Sequence, residues 1–178
     1  LKNITDLKLS KFTKFIQIST DEVFGDRYKK SKSNENSKYE PSSPYSASKA
    51  AADHLVTSWS RTYGLKYIIT YSSNNYGPRQ NKEKLIPKII KNCMSFKTIP
   101  IYGSGSQKRD WIYVRDNAEA ILKIGLSSNF NQSFNIPGNT FISNINVAKK
   151  ICKIFDKNKK NSKSYLTLIK HVKDRKGH

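Results

Sequence analysis

Two short β-forming runs bracket one long helical stretch, and this arrangement restricts the fold more than any other feature of the chain. Phe15-Ile16-Gln17-Ile18 and Tyr67-Ile68-Ile69-Thr70-Tyr71 are dense in β-branched and aromatic residues. Each gives way to a polar cluster, Ser19-Thr20-Asp21-Glu22 and Ser72-Ser73-Asn74-Asn75. Between them, Tyr45 to Tyr63 reads as helix: Ala47, Ala51, Leu55 and Trp59 recur every four residues, and Gly64 supplies the stop. The small alanines predict an inner face packed closely on a sheet. Strand, crossover helix and strand make a βαβ unit, whose strands have to be parallel. Both polar clusters then lie at the carboxyl edge of one sheet, where open α/β sheets bind ligands.

At the start of that helix, Tyr45 and Lys49 are four residues apart and share a face. An ammonium one turn from a phenol favours the phenolate and lowers the tyrosine pKa from its usual value of about 10. A tyrosine so placed can act as a base near neutral pH. The spacing alone is weak, because Tyr28 and Lys32 repeat it inside the polar run Asp26 to Ser43, which reads as surface loop. Position separates the two pairs: Tyr45 follows a strand that ends in a hydroxyl and two carboxylates.

The remaining elements continue the α/β pattern. A helix is predicted over Leu85 to Phe96, with Pro87 in its first turn. An edge strand is predicted at Ile99 to Tyr102, turning at Gly103 and Gly105. Then follow a strand at Asp110 to Val114, a helix at Asp116 to Leu126, and a short strand at Phe134 to Ile136. Asn144 is expected to cap a helix running to Phe155, with a polar connection at Asp156 to Ser164 and a last strand at Tyr165 to Val172. Gly103-Ser104-Gly105 lacks the third glycine of a dinucleotide phosphate turn. Catalytic-type groups without that turn, a first residue that is Leu1 and a lone methionine, Met94, together suggest a partial chain lacking an amino-terminal Gly-rich half.

The net charge of +20 over 178 residues raises a nucleic-acid surface as one reading. The plainer one is lysine drift: Lys, Asn and Ile are abundant, arginine is scarce, and neither zinc-finger spacing nor an RNA-binding aromatic motif appears. We favour the plainer reading and expect no nucleic-acid partner, although a basic surface would also attract a phosphate-bearing substrate. No apolar run reaches the roughly 18 residues of a membrane span, and the first residues are too charged for a secretory signal, so no membrane partner is expected. Cys93 and Cys152 form no C-x-x-C motif and point to burial in a reducing, cytoplasmic setting. His54, His171 and His178 show no metal-ligand spacing, so no metal is expected.

These residues resemble the extended short-chain dehydrogenase/reductase family, in its NAD-dependent epimerase/dehydratase class. The similarity runs from Phe15 to His178 and is carried by Ile18-Ser19-Thr20-Asp21-Glu22-Val23-Phe24-Gly25, Pro44-Tyr45-Ser46-Ala47-Ser48-Lys49 and Ser73-Asn74-Asn75-Tyr76-Gly77-Pro78. Glu83-Lys84-Leu85-Ile86-Pro87, Arg109-Asp110-Trp111 and Asp174-Arg175-Lys176-Gly177-His178 extend it. Phe24 stands where a tyrosine is usual, and Lys176 where a proline is.

The resemblance implies an incomplete Rossmann-type parallel sheet, its second half, with a smaller α/β substrate-binding region. Residues 1–80 would be the carboxyl-terminal half of the NAD-binding domain, and 81–178 mainly the nucleotide-sugar region, partly returning to the Rossmann sheet. The implied activity is dehydration of dTDP-glucose to dTDP-4-keto-6-deoxyglucose, by transient hydride transfer to NAD, in a homodimer. The alternatives are a GDP-mannose or CDP-glucose dehydratase or a UDP-sugar epimerase. Asp21 and Glu22 favour dehydration, because eliminating water needs an acid and a base that a redox epimerisation does without. By motif position, Thr20, Asp21, Glu22, Tyr45 and Lys49 would be catalytic, and Ser19, Tyr45, Lys49 and Asn75 would hold the cofactor. Thr20, Asn74, Lys84, Leu85, Pro100, Ile101, Tyr102, Arg109, Asn144, Arg175 and His178 would hold the substrate. The chain alone is expected to bind NAD poorly and to be inactive.

Overall fold

A computed structural model of the chain describes residues 1–8, 13–26, 32–158 and 162–174. The fold is α/β and divides into two compact units, one of Leu1–Asn75 with Val114–Pro137, the other of Tyr76–Tyr113 with Gly138–His178. The chain passes between the units three times, after Asn75, Tyr113 and Pro137, so the second unit is interrupted by a return to the first.

The first unit holds α1 (Lys2–Asp6), β1 (Lys14–Thr20), α2 (Pro44–Tyr63), β2 (Lys66–Ser72), α4 (Val114–Leu126) and β6 (Gln132–Ile136). Its sheet has the order β1-β2-β6, and both pairings are parallel, as a strand–helix–strand crossover requires. Thr20 lies opposite Ser72, and Ser72 opposite Ile136, so the three carboxyl ends are level. Ser43 caps α2 reciprocally: its Oγ accepts from the Ser46 N–H at 3.1 Å, and the Ser46 Oγ accepts from the Ser43 N–H at 3.0 Å. Pro44 takes the first helical position. Gly64 ends the helix in the left-handed conformation, φ 70°.

The helix is where the sequence-based expectation places it, but it buries a different face. Ala47 and Ala51 are exposed, and Leu55 is 57% exposed. The buried side chains are Ser46, Ala50, Asp53 and Val56. Two of these are polar, so counting apolar residues selects the wrong stripe; Ser46 serves the cap, and Asp53 is hydrogen-bonded within the unit. The apolar run of β1 is also less covered than expected. Phe15 and Ser19 face α2, so by strand alternation Ile16 and Ile18 face the other side. There Gly125 of α4 lies against Ile16, while Ile18 stays 54% exposed.

The segment before α2 is more than surface loop. Tyr39 packs edge-on to Phe24 and Tyr71, in a core cluster with Val23, Ala50, Val56 and Ile69. Full burial of a side chain such as Phe24 stabilises by about 2–3 kcal/mol. Gly25, at φ 73°, permits this approach: the Glu40 N–H bonds to the Val23 carbonyl at 2.9 Å, and a Cβ at position 25 would collide with the Glu40 carbonyl. Tyr28 lies outside the described residues.

The second unit comprises α3 (Leu85–Met94), β4 (Ile99–Tyr102), β5 (Lys108–Tyr113), β7 (Phe141–Ser143), α5 (Asn144–Asn158) and β8 (Ile169–Val172); the short strand β3 (Asn74–Tyr76) lies at the boundary. β4 pairs with β8 in parallel, and β5 with β7 antiparallel. Its core is Ile89, Cys93, Ile99, Ile101, Val147, Ala148, Cys152, Tyr165 and Leu168. Both cysteines are free and buried, and burial raises both thiols, Cys152 to about 12. Asn144 is the first residue of α5 rather than its cap; the Ser143 Oγ accepts from the Asn146 N–H at 3.4 Å instead. The helix continues to Asn158, past Phe155, and the last strand begins only at Ile169, after a 3-10 turn at Tyr165–Leu168. Among the described residues, no helix is long and apolar enough to cross a membrane.

Candidate active site

In the first unit the strand end and the helix start come together. Thr20 leaves β1 in extended conformation and caps a 3-10 turn at Asp21–Phe24, its Oγ1 accepting from the Glu22 N–H at 3.3 Å. The same hydroxyl lies 3.4 Å from Asp21 Oδ1 as donor. The cap places both carboxylates in the first turn, half-buried, while Val23 and Phe24 anchor the turn in the core. Lys49 reaches from the second turn of α2 to donate to the Ile18 carbonyl at 2.7 Å. Tyr45, one turn earlier, is 56% exposed.

The electrostatics of Tyr45 correct the sequence-based expectation. Its phenol is pushed above the usual value, chiefly by burial, then by the negative charges of Glu22 and Asp21. The ammonium that was to lower it is committed to the Ile18 carbonyl, whereas two carboxylates stand close enough to oppose a phenolate. That influence is consistent with Tyr45, Asp21 and Glu22 belonging to one locus.

Ser19 is buried beside this locus, but its hydroxyl turns toward α2 and donates to Asp53 Oδ2 at 2.6 Å. A part for Ser19 in holding a cofactor is thereby left to its backbone. At the end of β2, Asn75 is half-buried and its Nδ2 donates to the Ser73 carbonyl at 3.1 Å; Asn74 is half-buried beside it. Ser72 donates to Asn117 of α4 at 2.9 Å, fixing that strand end from below.

The substrate candidates of the second unit fall on separate elements. Lys84 is exposed at the position before α3, and Leu85 opens the helix, packed against the core cluster. Pro100 and Tyr102 are half-exposed on β4, whereas the Ile101 side chain is 1% exposed in the core, leaving only its main chain to meet a ligand. Arg109 is half-exposed on β5 opposite Ile142, and Asn144 is half-buried at the start of α5. Asp110 is turned inward, accepting from the Gly138 and Thr140 N–H groups at 2.8 and 2.7 Å. Arg175 and His178 lie outside the described residues. No group of three or more His, Cys, Asp or Glu that could hold a metal ion occurs among the described residues.

Sequence reasoning missed Asp53 and Tyr39. Asp53 follows Lys49 by four residues, on the helix face toward the sheet, and Tyr39 donates to its Oδ2 at 3.2 Å. The spacing from Lys49 is visible in the sequence; the burial is not.

The site stands at the carboxyl edge of a parallel α/β sheet, and comparison with known proteins shows the family. A family profile described as GDP-mannose 4,6 dehydratase matches residues 1–178, and the chain belongs to that family. Among individual relatives, the dTDP-glucose 4,6-dehydratase of Haemophilus influenzae is 48% identical over 170 residues, covering 93% of this chain and 50% of that protein. A solved dTDP-glucose 4,6-dehydratase from Bacillus anthracis, in complex with NAD, superposes with a TM-score of 0.85 at 36% identity, covering 98% of this chain and 55% of that one. Another from Streptomyces venezuelae, also with NAD bound, gives 0.87 at 32% identity, covering 99% and 52%. The chain spans about half the length of the curated relatives it matches.

Proposed function

We propose that the protein to which this chain belongs is an NAD-dependent dTDP-glucose 4,6-dehydratase, converting dTDP-glucose to dTDP-4-keto-6-deoxyglucose. The observation that carries the reading is the capped Thr20-Asp21-Glu22 turn standing against Tyr45, with Lys49 tied to the same strand end. The names of the relatives at 44–48% identity favour dTDP-glucose over GDP-mannose, CDP-glucose and the UDP-sugars of epimerases.

The donor set at the strand ends fits a nicotinamide nucleotide. Lys49 and Tyr45 offer an ammonium and a phenol to ribose hydroxyls, and Asn75 offers an amide on the nicotinamide side. Bound there, NAD supplies a hydride acceptor for the sugar C4 and a donor for C6. Tyr45 takes the proton of the sugar 4-hydroxyl as the C4–H bond breaks, and Thr20 donates a hydrogen bond to the resulting 4-keto oxygen. That ketone acidifies the C5 proton, which Glu22 removes, while Asp21 protonates the departing 6-hydroxyl so that it leaves as water; Glu22 returns a proton to C5 as C6 takes up hydride. Two adjacent carboxylates can fill opposite roles only if their environments differ. The Thr20 hydroxyl donates to Asp21 Oδ1 at 3.4 Å, so the two carboxylates differ in their surroundings.

Asn74, Lys84, Leu85, Pro100, Tyr102, Arg109 and Asn144, with the main chain of Ile101, are the nucleotide-sugar contacts of this reading, as are Arg175 and His178. Arg109 suits the pyrophosphate, whose oxygens a guanidinium meets in pairs. Residues 1–80 serve the NAD-binding domain and 81–178 mainly the nucleotide sugar. The exposed Ala47, Ala51 and Leu55 stripe of α2 supports a homodimer, and the two free buried cysteines support a cytoplasmic setting. Incubating the full-length protein with dTDP-glucose tests the reading: the 4-keto-6-deoxy product is expected, and its absence with Tyr45 and Glu22 intact overturns it.

A further inference from the structure

We propose that Asp53 is a positioning residue for the Tyr45 locus: through the Ser19 hydroxyl it holds the end of β1 in register with the first turns of α2. The inference rests on the dehydratase reading for its kinetic consequences, though the contact itself does not.

Asp53 is 1% exposed, and a carboxylate buried against a sheet is costly unless its oxygens are hydrogen-bonded. An alanine there would form the helix better and cost nothing to bury. What the carboxylate gains is specific. Ser19 Oγ donates to Oδ2 at 2.6 Å, a short charge-assisted bond between two buried groups, and Tyr39 OH donates to the same oxygen at 3.2 Å. Tyr39 in turn shares a hydrogen bond with Tyr71 of β2. One carboxylate therefore links α2, β1, β2 and the segment before the helix.

The register of these contacts ties them to the site. Lys49 grips the Ile18 carbonyl, and Asp53, one turn later, grips the next residue, Ser19. Thr20, Asp21 and Glu22 follow at once. Two successive turns of the helix that carries Tyr45 are thus pinned to two successive residues of the strand that carries the carboxylates. Positioning matters here because a displacement of about 1 Å between reacting groups can cost about 100-fold in rate.

Kinetics of the full-length enzyme with dTDP-glucose and NAD decide the matter, using Asp53→Ala, Asp53→Asn, Ser19→Ala and the Asp53→Ala/Ser19→Ala double variant, each below its own Tm. Asp53→Ala is expected to lower kcat by about 10-fold or more, with KM within about 2-fold. Asp53→Asn keeps an amide oxygen for Ser19 and is expected to stay within about 3-fold of wild type. The double variant should be no slower than Asp53→Ala, because the two residues act as a unit. A lowered Tm with unchanged kcat, or effects that multiply, would overturn the proposal.

Hydrogen exchange over residues 14–24 gives a readout without turnover. Faster exchange in Asp53→Ala, restored in Asp53→Asn, supports the anchor, and unchanged exchange removes it. A wild-type enzyme that leaves dTDP-glucose untouched refutes the dehydratase reading, while exchange still decides the anchor.

Discussion

Tyr45 is a half-exposed phenol whose ionisation its neighbours oppose, and that fixes the sign of its pH behaviour. A base must be ionised to accept a proton, so turnover falls on the acid side of the Tyr45 pKa, and the carboxylates of Glu22 and Asp21 hold that pKa up. Asp21→Asn removes one of those charges, and the Tyr45 phenol, followed by ultraviolet absorbance against a Tyr45→Phe reference, should ionise at lower pH. An unmoved titration would show that Asp21 does not act on Tyr45. Tyr45→Phe should lower kcat by about 100-fold or more. The buried phenols Tyr39 and Tyr71 act on stability instead. Both are raised, chiefly by burial, so the folded state holds their protons more tightly than the unfolded chain. Their contribution is complete below the ordinary tyrosine value of 10 and is lost as pH rises toward the folded values. Urea melts between pH 8 and 11 should show stability dropping at the alkaline end, less so in Tyr39→Phe. At this scale the sequence made the chemistry legible but not its tuning. The Tyr45–Lys49 spacing is local; the approach of Glu22 to Tyr45 spans 23 positions and depends on a cap that only the folded turn shows.

Elements were legible where hydrophobic period and stop signals agree. β1, α2 and β2 lie within a residue or two of their expected positions, because β-branched runs, a Ser-Pro start and a helix-ending glycine mark them. The face of α2 was not legible. Ala47, Ala51 and Leu55 repeat more evenly than Ser46, Ala50, Asp53 and Val56, but polar anchoring outweighs apolar count. Val56→Ala should therefore cost about 2 kcal/mol in urea denaturation. The three-residue strands β3 and β7 carry too little pattern to be seen, and β7 depends on Asp110, which holds the N–H groups of Gly138 and Thr140. Asp110→Ala removes the acceptor of both N–H groups, of which only Gly138 is half-buried, and should cost about 1–3 kcal/mol, read as a lower Tm.

On the scale of the whole molecule, the sequence shows a strongly basic chain of about half the length of its relatives, folded as two units. If the exposed stripe of α2 is the homodimer face, Leu55→Glu in the full-length protein should sediment as monomer where the wild type sediments as dimer. A wild-type monomer would remove the homodimer. Despite the charge of +20, no specific DNA complex is expected; a folded chain that binds mixed DNA with a steep salt dependence would revive the nucleic-acid reading. The central claim is elimination of water across C5 and C6 of a nucleotide sugar, and running the full-length enzyme on dTDP-glucose in deuterium oxide tests it most directly. If a protein base takes the C5 proton and exchanges it with solvent, the 4-keto-6-deoxy product carries a single deuterium, at C5, and Glu22→Gln forms almost none of it. A product that keeps its 6-hydroxyl and carries no deuterium would contradict the account.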